Sequence, residues 1–176
     1  MKIMDLSCEI ILDENRIRER ILELGEQITL DYMSRELVVI GVLKGSLLFF
    51  ADLIRNINLP ILTDFVTVSS YDGSKKSSGS VNIVNDITLP VKDRDLLIIE
   101  DIIDTGATSK FLINHLERKK PRSLNICALL NKKCVRIFEN DIPVGYSGFD
   151  VPDEFLIGYG LDYEERYRNL PYIAAI

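Results

Sequence analysis

Several things that would steer a reading toward special chemistry are scarce in this chain. Its cysteines number three (Cys8, Cys127 and Cys134), an odd count without metal-ligand spacing. Neither a disulfide framework nor a thiolate metal site is expected, and Cys127, in an apolar run, reads as core. The single histidine, His115, stands in Asn-His-Leu-Glu with no partner motif and reads as a surface position. A basic excess is missing: 21 Lys and Arg oppose 27 Asp and Glu, for a net charge of −6. That balance argues against a nucleic-acid partner, which needs a basic surface. It leaves anionic small molecules open, because a bound cation and backbone amides can outweigh global charge locally. Long apolar runs are also missing. Leu47 to Ala51 falls far short of the ~20 residues that span a bilayer. The start, Met1-Lys2-Ile3-Met4-Asp5, turns acidic at once and lacks the apolar core of a signal peptide. No membrane partner is expected, and cytoplasmic residence is the default. There is no internal repeat and no linker, so 176 residues predict one domain.

What is present is an alternation of strands and helices. Asp13 is placed to cap a helix whose apolar stripe is Ile17, Ile21, Leu24 and Ile28. Leu37 to Leu43 reads as a strand, 46–57 as a helix, and Leu62 to Val68 as a second strand. Residues 69–80, Ser-Ser-Tyr-Asp-Gly-Ser-Lys-Lys-Ser-Ser-Gly-Ser, read as one long flexible loop. A short strand at Val81 to Val84, a strong strand at 96–100, a helix at 107–118 and a strand at 124–130 follow, then short strands broken by Gly and Pro. The expected class is α/β, with a mainly parallel central sheet flanked by helices.

The most informative stretch is Leu96-Leu97-Ile98-Ile99-Glu100-Asp101-Ile102-Ile103-Asp104-Thr105-Gly106-Ala107-Thr108-Ser109. An apolar run stops at two acids, a third acid follows, and a Thr-Gly-x-Thr turn opens a helix. Ligands in open α/β sheets sit at the carboxyl ends of strands. The carboxylates suit a hard cation, and backbone N–H groups from Thr105 to Ser109 at a helix N-terminus suit a phosphate. Gly106 permits close approach or a positive φ. A solvated βα loop is the plain alternative, and it accounts poorly for the third acid and the hydroxyl-rich turn.

This stretch closely resembles the phosphoribosyl pyrophosphate motif of the type I phosphoribosyltransferases, and within them the bacterial-type hypoxanthine-guanine branch. The resemblance implies a small hood subdomain built from both chain ends and a flexible lid at about 69–80, within a single domain over 1–176. It implies a 5′-phosphate cradle at Thr105, Gly106, Ala107, Thr108 and Ser109, and Mg²⁺ near the ribose hydroxyls at Glu100 and Asp101. It makes Asp104 the general acid/base at purine N7; capping the following turn is its alternative role. It makes Val42-Leu43-Lys44-Gly45-Ser46 the pyrophosphate loop, with Lys44 and Gly45 as contacts and a cis bond at Leu43–Lys44. Ser70 and Tyr71 match the lid pair, although a plain hairpin tip reads the same way.

Lys132 in Leu129-Leu130-Asn131-Lys132-Lys133 would donate to the purine 6-oxo group, favouring hypoxanthine and guanine over adenine. Lys133 is adjacent, and a solvated lysine is the ordinary reading of either. In 151–163, Phe155 would stack on the base, or simply pack in the core, and the Leu156 backbone would meet the base edge. Asp162 would lie near the base 2-position and a second Mg²⁺, Arg168 would contact pyrophosphate, and Arg136 would line the same rim. Tyr159 and Tyr163 read as structure. Position 107 departs from relatives that carry a longer or basic side chain there.

The resemblance thus implies purine salvage: Mg²⁺-dependent transfer of phosphoribose from phosphoribosyl pyrophosphate to hypoxanthine or guanine, releasing IMP or GMP and pyrophosphate. Family members are commonly homodimers or homotetramers. Two rivals remain at this point: a non-catalytic nucleotide- or RNA-binding regulator on the same fold, and a phospho-accepting receiver domain.

Overall fold

The structure, a computed structural model, describes residues 2–3, 6–70, 81–135, 137 and 142–176. In chain order its strands and helices are β1 (Lys2–Ile3), β2 (Leu6–Ser7), β3 (Glu9–Leu12), α1 (Glu14–Asp31), β4 (Leu37–Leu43), α2 (Leu47–Ile54), β5 (Leu62–Ser70) and β6 (Val81–Asn85). Then come β7 (Asp95–Ile103), α3 (Ala107–Glu117), β8 (Ser123–Asn131), β9 (Val144–Asp150), β10 (Leu156–Ile157) and β11 (Ile173–Ala175).

The main sheet has six strands in the order β6-β5-β4-β7-β8-β9. All neighbours pair in parallel except β5 and β6. Strand side chains alternate between faces. In β7, Leu97 and Ile99 join the core under α1 and α2, while Leu96, Ile98 and Ile103 join the core under α3. Burial on both faces is why these strands read as continuous apolar runs. A three-stranded antiparallel sheet, β10-β11-β3, joins the two ends of the chain. Among the described residues no helix is long and apolar enough to cross a membrane.

Helix α1 begins as its sequence predicts. Asp13 accepts a hydrogen bond from the Arg16 N–H at 3.0 Å, and Ile17, Ile21, Leu24 and Ile28 are buried. Helix α2 is shorter than predicted. It ends at Ile54, and the turn after it presses the Asn56 carbonyl against Gly25 of α1, where a Cβ would have no room. Strand β7 is longer than predicted. Glu100 pairs with Ala128, and Ile102 and Ile103 pair with Leu130 and Asn131. Glu100 and Asp101 are therefore strand residues, and the true end of the strand is Ile103.

The strand order reverses between β4 and β7. The chain leaves β4 through α2 to β5 on one side, whereas β7 and β8 build outward on the other. The loops after β4 and β7 therefore diverge and open a crevice between them, the place where such sheets bind ligands.

Candidate active site

Residues 100–109 line a cavity of about 280 Å³ in that crevice, with Val42, Leu43, Gly45 and Val68 on the facing side. Gly106 has φ 87°, a left-handed conformation that glycine adopts at no steric cost, and it stands at the start of α3. The N–H groups of the first helical turn have no carbonyl four residues back. Ala107 N makes only a long 3.4 Å bond to Thr105 Oγ1. The turn thus presents Thr105, Gly106, Ala107, Thr108 and Ser109 to the cavity as an anion cradle. The Ser109 hydroxyl itself turns inward and donates to Glu100 Oε1 at 2.7 Å.

Two carboxylates sit under this cradle. Burial pushes the Glu100 carboxyl up to about 7, Asp101 adds to the rise, and the Ser109 bond opposes it. Burial likewise pushes Asp101 up to about 6; its own N–H, that of Ile102 and the Arg168 charge oppose the rise, and Asp162 adds to it. For both acids burial outweighs the groups that favour the charged form. Among the described residues no group of three or more His, Cys, Asp or Glu is gathered as a metal cage. Glu100 and Asp101, both lining the cavity, are a donor set that fits an ion using one or two carboxylates and filling its shell with water and substrate oxygens, which is the habit of Mg²⁺.

The loop after β4 lies against the acids. The Leu43–Lys44 peptide bond is cis. A side chain at Gly45 would collide with the Asp101 carboxylate and would have to displace it. Gly160, at φ +103°, packs on the Gly45 carbonyl from the C-terminal side, again leaving no room for a Cβ. Arg168 Nη1 donates to the Gly160 carbonyl at 2.8 Å, and its Nη2 lies 2.7 Å from Asp162 Oδ1. Arg168 Nε is buried without an acceptor among the described residues. Asp162 is engaged on both oxygens, because Oδ2 accepts from the Glu165 N–H at 2.9 Å. Lys44 Nζ is 3.0 Å from Glu165 Oε2.

Just after β8, Lys132 Nζ stands 3.9 Å from Asp104 Oδ2 and 3.5 Å from Asp153 Oδ1. Its side chain is 9% exposed, while that of Asp104 is 55% exposed. A buried ammonium between two carboxylates is an oriented donor, not a solvated lysine. Lys133 turns away to Asp150 at 2.8 Å. Phe155 is 54% exposed and meets the Tyr163 ring edge-on at 5.8 Å, so it is an available face, not core. Leu156 is buried in β10, paired with Ala175.

Tyr159 is structural as expected, its hydroxyl donating to Asp52 at 2.6 Å. His115 is not isolated: its Nε2 lies 3.0 Å from Asp86, which also holds Lys119. The Ser70 side chain, Tyr71 and Arg136 lie outside the described residues. Asp153 and Glu165 were not singled out from sequence. Lys132 is 21 residues from Asp153 and Lys44 is 121 residues from Glu165, and no local motif marks either acid.

A sequence model described as the phosphoribosyl transferase domain matches residues 7–164. A hypoxanthine-guanine phosphoribosyltransferase of Lactococcus lactis is 47% identical over 176 residues, covering 99% of this chain and 94% of the relative. One of Dictyostelium discoideum is 45% identical over 175 residues, covering 97% and 96%. The crystal structure of a hypoxanthine phosphoribosyltransferase from Staphylococcus aureus superposes with a TM-score of 0.89 at 46% identity, over 96% of this chain and 90% of that one. The motif at 100–109, the sheet order that opens the crevice above it and these likenesses agree: the chain belongs to the phosphoribosyltransferase family.

Proposed function

We propose that this chain serves purine salvage by transferring the phosphoribosyl group of phosphoribosyl pyrophosphate to N9 of hypoxanthine or guanine, giving IMP or GMP and pyrophosphate. The observation that carries the reading is Asp104 and Lys132, 3.9 Å apart beside the phosphate cradle. N7 and O6 are neighbouring atoms on one edge of a 6-oxopurine, and this pair offers an acceptor for a proton at N7 and a donor for O6. The names borne by the full-length relatives support the same substrates.

The first turn of α3 holds the 5′-phosphate. The loop at Lys44 and Gly45, with Arg168, holds the pyrophosphoryl group. Phe155 stacks on the base, the Leu156 backbone meets its edge, and Asp162 borders the 2-position. As the C1′–O bond to pyrophosphate breaks and the N9–C1′ bond forms, Asp104 takes the proton the base gives up at N7. To residues 69–80, with Ser70 and Tyr71, falls the task of keeping water from the cationic sugar. Glu100 and Asp101 would hold Mg²⁺, which when bound would neutralise pyrophosphate charge and orient the ribose hydroxyls. A second ion at Asp162 would exchange with its bond to Arg168.

On this reading residues 1–176 are one domain, with the β10-β11-β3 sheet as its hood, and the working form is a homodimer or homotetramer. A solved Trypanosoma cruzi hypoxanthine phosphoribosyltransferase, 35% identical over 100% of this chain, concerns the role of its own C-terminal region in oligomeric state and activity.

The test is product formation from phosphoribosyl pyrophosphate with hypoxanthine, guanine, xanthine and adenine, with and without Mg²⁺. Turnover with the two 6-oxopurines, lost without Mg²⁺, is expected. No product with any base overturns the reading. In Asp104→Asn, turnover should fall ~10²–10⁴-fold with binding largely kept. Near-normal turnover removes the acid/base role.

A further inference from the structure

The Glu165 carboxylate stands between two cations that the proposed chemistry assigns to the substrate. Its Oε2 is 3.0 Å from Lys44 Nζ and 3.4 Å from Arg168 Nη2. We propose that Glu165 sets the affinity of the pyrophosphate subsite, its carboxylate occupying the Lys44–Arg168 pair in the free protein and giving way when a pyrophosphoryl group arrives. The inference rests on the reading of Lys44 and Arg168 given above.

The contact is built into the fold. Glu164 and Glu165 have φ of 51° and 61°, the left-handed region that residues with side chains seldom enter. The turn that holds them there is closed by reciprocal backbone bonds between Tyr163 and Arg166, at 3.2 and 3.0 Å, and by the Glu165 N–H on Asp162. The packing of Gly160 on the Gly45 carbonyl brings this turn beside the Lys44 loop.

The roles within the cluster also divide. Arg168 already has Asp162 at 2.7 Å, so its charge is met without Glu165. Among the described residues, Glu165 is the one carboxylate within ion-pair distance of Lys44. Both side chains of that pair are about two-thirds exposed, at 64% and 66%. An exposed ion pair is weak and exchanges readily, which suits a displaceable occupant better than a structural clamp. Lys44 and Arg168 hold the Glu165 carboxyl below the usual glutamate range, so the competitor stays charged at neutral pH.

A pyrophosphoryl group brings more charge and more acceptor oxygens than a carboxylate, and it wins the exchange at reduced net affinity. Glu165 therefore weakens phosphoribosyl pyrophosphate and pyrophosphate alike. As pyrophosphate leaves, the carboxylate returns to the cations and disfavours rebinding.

The test uses the full chain carrying Glu165→Gln, Lys44→Ala, or both. Pyrophosphate affinity is read by calorimetry at fixed Mg²⁺, and KM for each substrate by initial rates. Glu165→Gln should tighten pyrophosphate about three- to tenfold, as expected for losing one or two exposed ion-pair competitors. The KM for phosphoribosyl pyrophosphate should fall by a similar factor and the KM for the base should hold. Rising salt should shrink the gain, and the Lys44→Ala background should abolish it. If Lys44→Ala weakens pyrophosphate while Glu165→Gln leaves it unchanged or weaker, the subsite reading stands and the role of Glu165 falls. If Lys44→Ala leaves pyrophosphate affinity unchanged, the subsite reading fails and this inference with it. A rise in both KM values with a lowered melting temperature marks Glu165 as a turn-holding residue and overturns the proposal.

Discussion

Lys132 shows how one side chain can set substrate choice. Its ammonium is nearly enclosed, with Asp104 at 3.9 Å and Asp153 at 3.5 Å. Removing it should cost one charge-assisted hydrogen bond to the base, about 1.5–3 kcal/mol. Lys132→Met should therefore lower kcat/KM for hypoxanthine and guanine by roughly 10- to 150-fold. Any adenine activity should change far less. Equal losses for hypoxanthine and adenine would remove Lys132 as the discriminator. Ser109 acts one step further back, since its hydroxyl donates to the buried Glu100 at 2.7 Å. Ser109→Ala strips a donor from a carboxylate that has little else, so stability should fall by about 1–2 kcal/mol. Urea melts should show a larger loss at pH 8, where Glu100 is charged, than at pH 5, and Ser109→Thr should restore most of it. A loss independent of pH points to packing instead.

Elements were legible where the cause of their structure is local. Asp13 and the stripe from Ile17 to Ile28 announce α1, and the loops at 43–46 and 104–109 carry their chemistry in consecutive residues. The misread boundaries have tertiary causes. Two acids in β7 look like a strand end, yet β8 continues the ladder to Asn131 and the Ser109 hydroxyl satisfies Glu100. Helix α2 stops early because the next turn must fit against Gly25. The pairings of Asp153 with Lys132 and of Glu165 with Lys44 were invisible because only folding brings the C-terminal segment to the strand ends. Gly160 tests that docking. It has φ +103°, and a Cβ there would meet the Gly45 carbonyl. Gly160→Ala should cost about 1–3 kcal/mol in stability from strain and overpacking. It should also raise the KM for phosphoribosyl pyrophosphate at least several-fold by displacing the Lys44 loop. Gly145→Ala is the control: its Cβ would lie 3.3 Å from the Asn125 side chain, away from the crevice. If both variants leave that KM unchanged, the C-terminal segment does not shape the pyrophosphate loop.

At the scale of the whole molecule, the sheet buries acids within β7, beside the cavity it must keep open for ligand, and this ties stability to pH. Glu100 moves from 4.5 to about 7 and Asp101 from 3.8 to about 6, both chiefly through burial. Raised carboxyl values mean that, between roughly pH 4 and 7, the folded chain holds more protons than the unfolded one. Stability then falls as pH rises through that window, because the slope follows protons bound by the unfolded state minus those bound by the folded state. For Glu100 the contribution is about 3 kcal/mol once the carboxyl is fully charged. Asp64 and Asp86 have lowered values and act in the opposite sense, but only at or below the ordinary carboxylate range, outside most of this window. The free protein should therefore melt lower at pH 8 than at pH 5.5, and Glu100→Gln should flatten the profile. Mg²⁺ with phosphoribosyl pyrophosphate binds the charged form, so it should raise the melting temperature most at pH 8 and release protons near pH 6.5. Calorimetry in buffers of different ionisation enthalpy counts those protons. A melting temperature that climbs from pH 5.5 to 8 in both wild type and Glu100→Gln, with no proton release on binding, would show that the β7 acids are charged before any ligand arrives.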